Sequence, residues 1–131
     1  MLTIFEKIIL GHLVGDYLLQ PKKMAILKQT KGLNGLVWCL IHCLIYTLVI
    51  CLFTSTIEPI KVILIFISHF PIDRWSLAGK WLKLIKGRSF MEAYQSEEKL
   101  REVDLAFSAI VYVIVDNAFH VLLMWAIFNY L

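Results

Sequence analysis

The chain has 131 residues, of which 60% are hydrophobic and only 18% are charged, and its formal net charge is +3. The mean hydropathy of +0.74 is far above what a soluble domain of this size shows. This composition therefore excludes an ordinary soluble domain. It predicts one all-α integral membrane domain over residues 1–131, with membrane lipids as its immediate partners.

Four membrane helices are predicted in chain order. The first covers residues 2–20 and ends before Pro21, which lacks a backbone amide donor. The second covers 33–53, contains no Asp, Glu, Lys or Arg, and is long enough for a hydrocarbon core that needs about 20 residues. The third covers approximately residues 57–77 and the fourth residues 104–131. For the basic segment between the last two we expect a cytoplasmic loop or a short interfacial helix.

The basic residues are concentrated in two of the three connections. They are Lys22, Lys23, Lys28 and Lys31 in the first, and Arg74, Lys80, Lys83, Lys86, Arg88, Lys99 and Arg101 in the third. These connections lie on one side of a four-helix membrane protein, and the positive-inside rule makes that side cytoplasmic. We therefore predict an inner-membrane protein with both termini outside. Membrane orientation explains the basic residues, so no nucleic acid is expected as a partner, and homo-oligomerisation stays open.

Three of the four histidines stand four residues from an aspartate, in the pairs His12/Asp16, His69/Asp73 and Asp116/His120. Four residues make about one helical turn, so the two side chains of a pair project from one helix face. The fourth histidine, His42, lies alone in the second helix. Ionisable groups inside a bilayer cost a few kcal/mol each, so these residues are expected to serve a function.

The order of the pairs reverses with the direction of the helix. Helices 1 and 3 run toward the cytoplasm and have His before Asp, whereas helix 4 runs away from it and has Asp before His. Each aspartate is therefore nearer the cytoplasm, with its histidine about 6 Å deeper. This pattern predicts a carboxylate layer above an imidazole layer in the bundle interior. The interior stripe of helix 4 would comprise Asp104, Ser108, Tyr112, Asp116 and His120, and that of helix 1 would extend to Gln20.

Imidazole and carboxylate groups together are typical ligands of divalent metal ions. The predicted metal ligands are His12, Asp16, His42, His69, Asp73, Asp116 and His120. Zinc is the first expectation, with manganese or iron as alternatives, and bound zinc lowers the pKa of its water from about 15.7 to about 7. We therefore expect metal-dependent hydrolysis of a phosphorylated or amide-bearing lipid from the cytoplasmic side. Proton or metal-ion transport, and a non-catalytic module locked by His/Asp contacts, remain as alternatives.

The motifs also carry a family resemblance. Residues 12–20 read HLVGDYLLQ, residues 69–73 read HFPID and residues 116–120 read DNAFH. This ordered set, over nearly the whole chain, resembles the domain of unknown function 3307 family of small bacterial and phage membrane proteins. The resemblance implies a shared polar site but no established activity. Members often carry a second histidine where this chain has Trp38, and Asp-Gln in place of Asp116-Asn117, which leaves His42 as the sole candidate ligand on helix 2.

Overall fold

All regular elements of this chain are helical, as a computed structural model describing residues 1–131 shows. They are α1 (Ile4–Leu13), continued by a π-helical turn (Val14–Leu18), α2 (Lys22–Leu27), α3 (Gly32–Thr54), α4 (Pro59–Arg74), α5 (Leu77–Lys86), α6 (Phe90–Gln95) and α7 (Arg101–Tyr130). The prediction of an all-α fold is therefore confirmed.

Four of these helices form a closed ring. Helix α1 packs against α3 and α7, and α4 packs against the same two helices from the other side. Each of the four contributes to a buried apolar cluster, which consists of Ile8, Tyr46, Ile50, Ile65, Met124 and Ile127. Helix α2 lies against α3, and α5 and α6 lie against α7. The four helices α1, α3, α4 and α7 are thus the frame on which the candidate site is built.

Two helices, α3 and α7, are long and apolar enough to cross a membrane. The predicted first and third spans are shorter in the structure: α1 and its π-helical turn cover 10 and 5 residues, and α4 covers 16. In the most apolar windows of α3 and α7, only 39% and 17% of residues are buried. Their outer faces expose side chains such as Leu44, Leu48 and Ile114. An apolar surface of this extent is typical of a protein that contacts lipid or another apolar partner.

The first and third connections lie together at one end of the bundle, which we call the basic end. The Arg74 guanidinium donates hydrogen bonds to the backbone carbonyls of Lys28, at 3.3 Å, and Thr30, at 2.7 Å. The third connection contains two helices rather than one, because Gly87 ends α5 in the left-handed region with φ of 58°. Lys83 of α5 then pairs with Glu92 of α6 at 2.8 Å.

Candidate metal centre

Backbone irregularities accompany two of the three His/Asp pairs. His12 lies in the last turn of α1, and Asp16 lies in the π-helical turn that follows. Within that turn Gly15 packs so closely on α3 that a Cβ there would be 3.0 Å from Cδ2 of Tyr46. In α4, Pro71 lies between His69 and Asp73 and has no amide hydrogen to donate along the helix. Both features occur where the chain presents its polar side chains to the interior.

The imidazoles of His42 and His69 meet between α3 and α4. Both are fully buried, and their Nε2 atoms are 3.0 Å apart. Oδ2 of Asp73 lies 2.9 Å from Nε2 of His42 and 3.0 Å from Nε2 of His69. Oδ1 of Asp16 lies 3.1 Å from the same His42 nitrogen. Two ring nitrogens therefore converge on two carboxylate oxygens from different helices.

His120 presents a free nitrogen to this cluster. Its Nδ1–H donates to the backbone carbonyl of Asp116 at 2.8 Å, which leaves Nε2 as an acceptor. That buried Nε2 atom has no hydrogen-bond partner, and it lies 3.9 Å from Oδ1 of Asp73. A buried polar atom without a partner is costly, and a cation placed beside it would remove the cost.

His12 completes the imidazole layer from α1. Its Nε2 contacts Oδ1 of Asn117 at 2.6 Å. When Nε2–H donates to that oxygen, Nδ1 is left as an acceptor beside Oδ2 of Asp16, 3.2 Å away. A hydrogen bond that fixes one ring nitrogen while the other faces the site is the usual arrangement of metal-binding histidines.

Six of the seven predicted ligands form three overlapping triads, each with ligand atoms within 4.8 Å of one another. The triads are His12/Asp16/His120, Asp16/His42/His69 and His69/Asp73/His120. Every triad contains two imidazoles and one carboxylate, a set used by catalytic zinc sites that keep a fourth position open and by non-haem iron sites. The donor chemistry and the unpartnered nitrogen of His120 therefore fit a divalent metal ion. Asp116 belongs to none of the triads.

A cavity of about 840 Å³ connects the cluster to the basic end. Its lining includes Asp16, Asp73 and Asp116 but none of the four histidines. The carboxylates thus face the cavity and the imidazoles lie behind them, in the two layers that the pair order predicts. Asp116, which belongs to no triad, lines this cavity. Its Oδ2 lies 3.8 Å from Nδ1 of His120.

The predicted polar stripe of α7 faces inward over only part of its length. Ser108 and His120 are buried, and Tyr112 and Asp116 line the cavity. Asp104 is exposed instead, because its carboxylate pairs with Arg88 at the surface at 2.8 Å. Its predicted interior position is therefore wrong.

Lys28 is a site residue that the sequence did not reveal. Its Nζ lies 2.8 Å from Oδ2 of Asp73, with only 9% of its side chain exposed, and it lines the cavity. Burial lowers the pKa of this ammonium, but attraction to Asp73 outweighs burial and holds the pKa above its ordinary value. Lys28 is therefore charged at neutral pH. Lys28 belongs to the first connection and comes near Asp73 only in the folded chain. No local sequence motif therefore identifies it.

Tyr46 supports two of the histidines. Its ring stacks on that of His69 with centroids 3.7 Å apart, and its hydroxyl lies 3.3 Å from Nδ1 of His12. Tyr46 stands four residues after His42, the same spacing as in the His/Asp pairs. That spacing was a signal that could have identified it. Gln20, at the end of the helix 1 stripe, has its amide nitrogen 3.0 Å from Nδ1 of His42.

Comparison with known proteins identifies a family but no activity. A family model described as "Protein of unknown function (DUF3307)" matches residues 4–131, which confirms the resemblance drawn from the motifs. No curated protein and no solved structure matches the chain. The assignment of a function therefore depends on the geometry of the site.

Proposed function

The chain belongs to the DUF3307 family, a family of unknown function, and we propose that it is a membrane-embedded, metal-dependent hydrolase. The observation that carries this proposal is the convergence at His42, His69 and Asp73. Two ring nitrogens 3.0 Å apart, if both were protonated, would repel each other in front of one carboxylate oxygen. Two nitrogen lone pairs and a carboxylate directed at one cation attract it instead.

The ligand set supports zinc first, with iron or manganese as alternatives. The proposed ligands are those of the three triads, and Asp116 would act from the cavity side. A zinc ion bound there supplies Lewis acidity and lowers the pKa of its water to about 7. The protein contributes the positions of the ligands. Asn117 orients His12, Tyr46 packs on His69, and Lys28 pairs with Asp73.

The shape of the cavity favours hydrolysis over transport. The cavity gives substrate access from the basic end to the carboxylates. On the far side of the histidines the bundle is filled by the buried side chains of Ile8, Ile50, Ile65 and Met124. A transported ion needs a polar path through the whole bundle, and this apolar plug offers none.

We propose that all four helices of the ring lie in the membrane, with the basic end in the cytoplasm and both termini outside. Helices α3 and α7 have the length to cross it, whereas α1 and α4 are short enough to require thinning of the bilayer or burial of their ends within the protein. The basic residues of the first and third connections support the orientation. This arrangement places the cavity mouth at the cytoplasmic surface.

Metal content is the first test. The protein, purified in detergent without chelator, is expected to contain one or two equivalents of zinc, iron or manganese by mass spectrometry. A His12→Ala/His69→Ala variant should lose the metal, whereas Lys83→Ala, whose side chain is exposed and pairs only with Glu92, should keep it. Metal-free wild-type protein, or equal metal in all three proteins, would contradict the proposed site.

Turnover is the second test. The metal-loaded protein should hydrolyse phosphate- or amide-bearing lipids, and both chelation and the double histidine variant should abolish the activity. If the protein binds metal but hydrolyses neither lipid class, the proposed hydrolase activity would be contradicted and the metal would have a structural role.

A further inference from the structure

We propose that the ligand of this cavity is a phosphate-bearing lipid, with the phosphate between Lys28 and the metal triads and the acyl chain leaving through a side opening between the π-helical turn and α7. This inference rests on the proposed metal centre and names its substrate class. It selects the phosphorylated lipid over the amide-bearing one.

The side opening is marked by residues that line the cavity and also lie on the outer surface of the bundle. Tyr17, which follows Asp16 in the π-helical turn, is 51% exposed. Val113 of α7 is 44% exposed. Both residues also line the cavity. They are close together because Asn117 donates hydrogen bonds to the Tyr17 hydroxyl and to the Val113 carbonyl. A pocket that reaches the apolar flank of a bundle, besides its polar end, suits a ligand with a hydrocarbon chain.

The cavity lining contains two further apolar residues that reach the surface. Phe90 and Met91, at the start of α6, line the cavity and are exposed. An acyl chain leaving beside Val113 would pass onto the apolar outer face of α7, where Ile110 and Ile114 are exposed. The cavity lining thus contains carboxylates next to the histidines and apolar side chains at the outer surface. A lipid has the same division between a polar headgroup and an apolar chain.

The charges in the cavity favour a phosphate as the headgroup. Its lining contains four cations: Lys28, Lys80, Lys83 and Arg88. Lys83 and Arg88 already pair with exposed carboxylates, so they add little. Lys28 is different, because it is buried and touches Asp73, a member of a metal triad. An anion beside Nζ of Lys28 would therefore also reach the metal. An amide group is uncharged and would add no negative charge beside either cation.

The carboxylates that line the cavity make phosphate binding dependent on metal. Asp16, Asp73 and Asp116 carry three carboxyl groups toward the cavity, and Lys28 alone does not balance them. A phosphate next to these carboxylates gains attraction only when a divalent cation lies between them. Hydrolysis of such an ester adds water across the P–O bond, gives a lipid alcohol and a free phosphate, and needs no other reactant.

The binding experiment uses full-length protein in dodecyl maltoside, a detergent without phosphate, after zinc loading and measurement of its metal content. Lysophosphatidic acid in the form of its phosphonate analogue, whose P–C bond is not hydrolysed, the monoacylglycerol with the same chain, an N-acyl amide with that chain and inorganic phosphate are titrated by calorimetry. We expect lysophosphatidic acid to bind at least tenfold more tightly than each of the other three. EDTA should remove that preference.

Two pairs of variants test the residues named. Lys28→Met should weaken lysophosphatidic acid at least tenfold, whereas Lys22→Met, on the exposed start of α2, should not. Val113→Trp should block the opening and weaken lysophosphatidic acid without changing inorganic phosphate, whereas Ile114→Trp, one residue away on the outer face, should bind normally. Val113→Trp leaves every residue of the centre in place, so it decides the question if Lys28→Met fails to fold.

The outcomes separate the two proposals. Protein that binds zinc but shows no preference for lysophosphatidic acid, prefers the amide, or binds free phosphate equally well would overturn the lipid inference alone. A preference that survives EDTA, or normal binding by Val113→Trp, would also overturn it. Failure to bind zinc, iron or manganese would overturn the metal centre itself.

Discussion

The Nε2 atoms of His42 and His69 lie 3.0 Å apart, although the two residues come from different helices and both are fully buried. Each also lies within 3.0 Å of Oδ2 of Asp73. Neutral imidazoles have one N–H and one lone pair, so the two rings satisfy this contact either by one N–H···N hydrogen bond or by directing both lone pairs at a bound cation. The contact links α3 to α4, so filling the centre is expected to stabilise the whole bundle.

Removal of the metal should therefore lower the unfolding temperature of the protein. A ligand that binds only the folded state stabilises it by about 2.7 kcal/mol when present at roughly 100 times its Kd. Thermal unfolding in dodecyl maltoside, with and without EDTA, measures the effect. The His12→Ala/His69→Ala variant is the control, and the same EDTA shift in that variant would show that the chelator acts elsewhere.

Lys28 and Asp73 should behave as a buried ion pair. Asp73→Asn leaves the Lys28 ammonium without its carboxylate, and removal of one member of a buried pair costs about 3–5 kcal/mol of stability. The double variant Lys28→Met/Asp73→Asn should recover part of that loss. A double-mutant cycle on unfolding free energies, measured without metal, gives the coupling. Additive effects of the two changes would contradict the pairing.

Gly15→Ala should weaken metal binding without removing any ligand. The added Cβ would lie 3.0 Å from Cδ2 of Tyr46, and the Tyr46 ring stacks on His69. Changes in groups that orient a ligand typically cost 10–100-fold in metal affinity, so we expect about tenfold. Competition with a zinc-binding dye measures it.

Gly11→Ala is the matched control for this change. A Cβ at Gly11 would meet the terminal Cδ1 of Ile50 at 3.1 Å, and that flexible end belongs to the apolar cluster on the far side of the histidines. It should leave zinc affinity nearly unchanged. Equal losses in both variants would indicate a general effect on α1–α3 packing.

Leu48→Arg tests whether the outer face of α3 contacts lipid. Leu48 is exposed, so arginine there would be harmless in a water-soluble bundle. At the centre of a membrane helix it costs about 2.5–3.5 kcal/mol on insertion scales. We expect less protein in the membrane fraction after carbonate extraction. Leu84→Arg, on the exposed side of α5, should extract like the wild type, and identical behaviour of both variants would argue against a lipid-facing α3.

Local spacing predicted the parts of the site that depend on one helix at a time. The His69/Asp73 and Asp116/His120 pairs project from common faces because four residues make about one α-helical turn, and the reversed order in α7 brings its histidine level with the others. The His12/Asp16 pair instead runs into the π-helical turn. Helix ends were less predictable. Hydropathy extends the first and third spans past the points where α1 and α4 end, because Leu18 and Leu19 follow α1 and Trp75 and Leu77 follow α4.

Contacts between residues that are distant in the sequence could not be predicted from local spacing. Lys28 reaches Asp73 from the first connection, which Arg74 ties to the end of α4 by hydrogen bonds. Asp104 continues the inward spacing of α7 but turns outward to Arg88. The composition of a segment cannot indicate which distant charge its residues will meet, so these two assignments needed the three-dimensional structure.

The π-helical turn at Val14–Leu18 points to this centre without reference to any side chain. A π turn accommodates one residue more than a regular turn, at some loss of helix stability, and such insertions occur frequently at functional sites. Here the extra residue shifts the angular phase of the chain after His12, and Asp16 lies within the shifted segment. In a relative without the π turn, the same aspartate would point in a different direction around the helix axis. The presence of the π turn is therefore a feature by which relatives with this site geometry can be recognised.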